Sequence, residues 1–68
     1  MQFPKLLQKL RKKAGLSQSE LAQKADLSVR SIQNWEQGHR GPSAKGIIAL
    51  AQGLGVSAEI LLAALKNA

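Results

Sequence analysis

Bond-making chemistry has little to work with in this sequence. Its 68 residues contain one histidine, no cysteine and four carboxylates. His39 follows a glycine and is close to a second, and the acids sit apart at Glu20, Asp26, Glu36 and Glu59. Without thiols there is neither a thiol nucleophile nor the usual structural zinc site. The scattered acids make no pair for acid–base work, and no glycine-rich phosphate loop occurs. The expectation is therefore a non-enzyme with no metal or cofactor, and His39 reads as a solvated or phosphate-touching loop residue. What remains is recognition chemistry. Val29, Arg30, Gln33 and Asn34 lie within six positions of one another. An arginine can bond guanine through two hydrogen bonds, an asparagine can do the same with adenine, and a valine can touch a thymine methyl.

Such side chains need a rigid carrier, and the stretch 18–37 has the marks of one. Ser17 followed by Glu20 is a capping box, in which each side chain serves the other residue's backbone N–H, so a helix should begin near Gln18. Leu21, Ala22 and Ala25 give it one apolar stripe. Asp26, Leu27 and Ser28 break the rhythm. Asp tolerates left-handed backbone, Leu27 can plug a core, and Ser28 is a good N-cap. A second helix follows over about 28–37, with Ile32 and Trp35 inward and Gly38 as its left-handed stop. Two helices joined by three residues make a helix-turn-helix. In that motif the second helix enters the major groove with its N-terminal residues at base edges.

The rest of the chain reads as support. Pro4 suits the first turn of a helix whose inward stripe is Leu6, Leu7, Leu10 and Ala14, ended by Gly15. A turn-rich loop from Gly38 to Ser43 precedes a fourth helix, Ala44–Leu54, with Ile47, Leu50, Ala51 and Leu54 inward. Gly46 and Gly53 should weaken that helix by up to about 1 kcal/mol each. Ser57 caps a fifth helix, and no repeat or linker is visible. The expected architecture is all-α, five helices in a single domain over residues 1–68.

Ten Lys plus Arg against four Asp plus Glu give a formal net charge of +6, which favours polyanionic partners. No apolar run approaches the roughly 18 residues of a membrane span. The stretch MQFPKLLQKLRKK lacks the order of a signal peptide, so the cytoplasm is the expected compartment. Taken alone, the first helix could lie on a membrane surface, but its narrow stripe and the capping box that follows favour packing. One tryptophan and one phenylalanine are too few for base-stacking platforms on single strands.

The run GLSQSELAQKADLSVRSIQNWEQG closely resembles the helix-turn-helix of phage repressor and Cro-type transcription regulators (the XRE family), and the likeness extends from about Leu6 to Leu62. The resemblance implies a lambda-repressor-like DNA-binding domain. It implies that Gln18, already placed where free helix N–H groups attract phosphate, bonds phosphate and braces the reading helix. It also implies an ion pair between Arg11 and Glu36 that ties the first helix to the end of the reading helix. Two departures stand out. Asp26 occupies a turn position where the family commonly has glycine, and Ile60 a position that is usually polar.

The sequence therefore points to a regulator of transcription binding double-stranded DNA. Val29, Arg30, Gln33 and Asn34 are expected at the bases, and Gln18, His39, Arg40, Ser43 and Lys45 at phosphates. The nearly all-apolar ILLAAL of the fifth helix suggests an interface, with Ile60 and Ala64, or Leu62, left exposed to join two copies as a homodimer. The alternative is a protein-interaction module, an antitoxin or adaptor, that uses the same fifth helix for a protein partner. With no separate ligand domain, a small-molecule effector is not expected.

Overall fold

Wherever a serine precedes an apolar stripe, its hydroxyl takes one of the free N–H groups that a helix start leaves without partners. The computed structural model describes residues 2–66, which form α1 (Phe3–Lys13), α2 (Gln18–Ala25), α3 (Val29–Gln37), α4 (Ala44–Leu54) and α5 (Ala58–Lys66). Ser17 Oγ accepts from the Glu20 amide at 3.0 Å while Glu20 Oε1 accepts from the Ser17 amide at 2.8 Å. These contacts from Ser17, backbone first and side chain second, hold the Glu20 carboxyl below the usual carboxylate range. Ser28 caps α3 through the Ser31 amide at 3.1 Å, and Ser43 caps α4 through the Gly46 amide at 3.3 Å. Ser57 does the same for α5 through the Glu59 amide at 3.2 Å. In α1, Pro4 at the start makes no demand for a partner.

Between α2 and α3 the chain turns at Asp26, whose φ of 56° and ψ of 45° are left-handed. The turn is closed by the Leu27 amide donating to the Ala22 carbonyl at 2.8 Å. An aspartate pays for this conformation with about 1 kcal/mol that a glycine would not, and its carboxylate stays in solvent.

The five helices pack as a closed ring: α1 on α3, α3 on α2, α2 on α4, α4 on α5, and α5 back on α1. Inside it Phe3, Leu7, Leu21, Ile32, Ile47, Leu50 and Leu61 are fully buried, and Trp35 closes the space between α3 and α4. Leu6 and Leu10 are half-buried at the edge of this core. Ala14 departs from the expected stripe. It is exposed: α1 ends at Lys13, and Ala14 is its C-cap, beyond the last turn of the helix. Phe3 contributes instead, one turn before Leu7.

Gly46 and Gly53 have a packing role that outweighs their poor helix propensity. A Cβ on Gly53 would stand 3.0 Å from Ala25 Cβ, 3.2 Å from Leu21 Cδ1 and 3.3 Å from the Ala25 nitrogen. At Gly46 it would meet Pro42 Cβ and Trp35 Cη2, both at 3.0 Å. The absence of side chains is what lets α4 approach α2 and the indole so closely. Alanine at position 53 gains about 1 kcal/mol of helix propensity but must push α2 backbone aside, an overpacking cost of about 1–3 kcal/mol. Gly53→Ala should therefore lose about 1 kcal/mol in urea unfolding. A rise in stability would show that α2 and α4 separate without strain.

Candidate nucleic-acid interface

The inward side of α3 is held by more than apolar packing. Glu36 lies near the end of the helix and is only 6% exposed, the one buried charged residue among those described. Arg11 Nε donates to Glu36 Oε2 at 2.6 Å, and Arg11 Nη2 to Oε1 at 3.1 Å. This two-pronged pair is the tie between first and third helices implied by the resemblance, and its side chains are 12% and 4% exposed. Arg11 Nη1 donates further to the Leu16 carbonyl at 2.9 Å. The hydrogen bond to Glu36 is the main cause that raises the guanidinium pKa; burial opposes it and the carboxylate's charge adds to it.

Two amides complete the arrangement. Gln18 Nε2 donates to Glu36 Oε1 at 3.1 Å, and Gln33 Nε2 reaches Gln18 Oε1 at 3.4 Å. Gln18 thus sits at the N-terminus of α2 with its side chain braced on α3, and one N–H of its amide is not used within the chain. Gln8 Nε2 donates to the Glu36 backbone carbonyl at 2.9 Å. That carbonyl is one of the last four of α3, which have no partner inside the helix. Sequence reading missed Gln8, since a glutamine pointing at a carbonyl 28 positions away leaves no local pattern.

With its inner side fixed, α3 turns Arg30, Gln33 and Gln37 to solvent, while Asn34 is half-buried. Val29 is half-buried and packs on the core, so only part of its surface faces outward. The helix stops at Gly38, φ 80°, and the Gly38 and His39 amides both donate to the Asn34 carbonyl. His39, Arg40, Ser43 and Lys45 are all exposed along the following loop and the first turn of α4. The Ser43 hydroxyl oxygen is engaged as the cap, leaving its proton free to donate. Two helix N-termini, those of α2 and α4, therefore present unused N–H groups together with polar or cationic side chains.

A family model described as helix-turn-helix matches residues 7–61. The chain belongs to the Cro/C1-type helix-turn-helix (XRE) family. As a member of that family it is a DNA-binding regulator, and its partner is double-stranded DNA. A search of curated proteins found no match.

The residues expected at an interface of this Cro/C1-type chain fare differently on α5. Ile60 and Leu62 are 47% and 42% exposed, but Ala64 is buried. Ala64 is corrected to the core: it falls one turn beyond buried Leu61, on the side of α5 that faces α4 and α1. At 3.6 residues per turn, Ile60 and Leu62 lie on opposite flanks of Leu61, so the two do not form one apolar face. Ile48, which the inward stripe of α4 leaves out, is 55% exposed. It stands on the flank of α4 turned away from Gly46 and Gly53. No helix among the described residues is long and apolar enough to cross a membrane.

Removing one partner of a buried pair leaves the other charge without compensation, typically at a cost of 3–5 kcal/mol. Arg11 is the more exposed member, and Gln18 continues to bond the carboxylate when it is gone. Arg11→Met should therefore lose about 3 kcal/mol in urea unfolding. A loss below about 1 kcal/mol, the range of surface pairs, would show that the pair contributes no more than an exposed one.

Proposed function

We propose that the protein recognises a specific duplex sequence by laying α3 in the major groove, with two copies acting as a symmetric dimer on a near-palindromic operator. The observation that carries this reading is the division of α3 into two sides. Ile32, Trp35 and Glu36 are buried, with Glu36 tied to α1 and α2 and Trp35 packed on α4, while Arg30, Gln33 and Asn34 occupy the outward side with no apolar residue among them. Arg30 would bond guanine through two hydrogen bonds, Asn34 would pair with adenine, and Gln33 would read a neighbouring edge from its rest on Gln18. Val29 offers its outer methyl to a thymine. Gln18 on one side and His39, Arg40, Ser43 and Lys45 on the other would hold the phosphates, fixing register without carrying sequence information.

Size supports two copies. The principal extents are 27, 23 and 21 Å, and successive major grooves on one side of a duplex are about 34 Å apart. One chain with one reading helix covers a single half-site. Ile60 and Leu62 are the large exposed apolar side chains on α5 available to join two copies, and their opposite flanks mean that a two-fold contact uses one of them at its centre.

Binding measured on a selected duplex and on random duplexes at several salt concentrations tests these roles. Arg30→Ala should reduce preference at one base position by about 1–3 kcal/mol, whereas Arg40→Ala should weaken all duplexes alike and lower the salt slope by about 1. The reverse pattern would overturn the assignment. Stoichiometry on the selected duplex tests the dimer: Ile60→Glu or Leu62→Glu, but not both, should convert two copies per site to one. Two-copy binding that survives both substitutions would remove α5 from the interface.

A further inference from the structure

Five of the ten cationic side chains lie on α1, and the four that are lysines share a side. By the 3.6-residue turn, Lys5, Lys9, Lys12 and Lys13 fall within roughly a third of the helix circumference, and all four are exposed. The helix carries no acidic residue, and none of the four lysines makes an ion pair among the described residues. Like charges three and four positions apart work against a helix, and on α1 only the C-terminal dipole at Lys12 and Lys13 offsets this. An ordinary solvated face mixes both signs. This one holds a single sign over two turns.

Its direction matters as much as its charge. Phe3 and Leu7 point from α1 into the core, while Gln8 and Arg11 point to α3. Lys5, Lys9 and Lys13 occupy the flank turned away from α3, with Lys12, one turn after Gln8, at its edge, so the stripe stays in solvent when the reading helix is in a groove. Along the axis the stripe runs roughly 12 Å, the length of three to four phosphates of one DNA strand at about 3.4 Å per step. Insertion into a bilayer is disfavoured, because an interfacial helix must bury its apolar face in lipid, and that of α1 is already in the core. The polyanion that the protein's own DNA binding brings near at high concentration is another stretch of duplex.

We infer that the lysine stripe of α1 binds backbone phosphates of a second DNA duplex while α3 occupies the first, so that one protein bridges two duplexes. This rests on the major-groove reading of α3. The contact is independent of base sequence and depends on salt. With four phosphates neutralised it weakens roughly 100-fold between 50 and 200 mM salt.

The experiment immobilises a selected duplex on beads, loads the full chain, and measures both protein occupancy and retention of a labelled second duplex of unrelated sequence. K5Q/K9Q/K12Q/K13Q is the test variant, glutamine matching lysine in helix propensity, and K24Q/K66Q controls for general charge loss. Wild type and control should retain the second duplex at 50 mM salt. The test variant should lose at least tenfold of that retention with occupancy and sequence preference on the first duplex unchanged. Equal retention by the test variant overturns the proposal, since bridging then comes from two reading helices in a dimer. No retention by wild type at 50 mM also overturns it, and stripe-dependent binding to phosphatidylglycerol vesicles in that case assigns the face to lipid. Failure of the α3 reading shows up separately, as lost preference for the selected duplex, while stripe-dependent retention of random duplex remains measurable.

Discussion

A carboxylate taken out of water must be paired and hydrogen-bonded or it opposes folding by several kcal/mol, and in this protein that requirement organises three helices. Glu36 receives Arg11 from α1 and Gln18 from α2 on its carboxylate, and Gln8 from α1 on its backbone carbonyl. Each donor comes from a different point along the chain, so the carboxylate is satisfied only when α1, α2 and α3 are all in place. No buried side-chain polar atom among the described residues is left without a partner. The apolar core brings the helices together, while the Glu36 cluster selects one mutual arrangement of them.

The other half of the ring relies on close approach. α4 lies against α2 and the Trp35 indole because Gly53 and Gly46 present no side chains there. That approach sets where the N-terminus of α4 falls, and with it Ser43 and Lys45, relative to α3. Trp35 and Glu36 are adjacent in sequence and serve the two halves separately: one packs on Gly46 of α4, the other binds α1 and α2. α3 is thus held from both sides by consecutive residues near its C-terminal end, leaving its N-terminal turn, with Arg30, to project.

Much of this was legible in the sequence because it depends on neighbours. The serine caps, the capping box at Ser17 and Glu20, and the stop at Gly38 are decided within four residues, and the structure has each of them. The turn at Asp26 was legible from residue type alone. The Arg11–Glu36 pair lies 25 positions apart and came through the family resemblance, not through any local rule. What was not legible depends on which element arrives opposite. Gly46 and Gly53 read as weaknesses of α4 until Trp35 and Ala25 are seen against them. Ala64 and Ile60 are both small or apolar residues in ILLAAL, and only the position of α4 and α1 decides that Ala64 turns inward.

Why a buried ion pair should stand where leucine would pack as well follows from the need to fix the roll of α3. Apolar contacts are non-directional and leave a helix some freedom to roll about its axis. Side-chain tips lie roughly 5–6 Å from that axis, so a roll of about 20° carries Arg30 and Asn34 sideways by roughly 2 Å. The useful range of a hydrogen bond spans only about 0.5 Å. Two directed bonds from Arg11, one from Gln18 and one from Gln8 oppose that roll in both senses, since they approach Glu36 from α1 and from α2. The outward chain continues the constraint, as Gln18 is itself the resting point for Gln33. Stability alone would be served by a greasier helix end; fixing the angle at which Arg30 and Asn34 leave α3 requires bonds with direction.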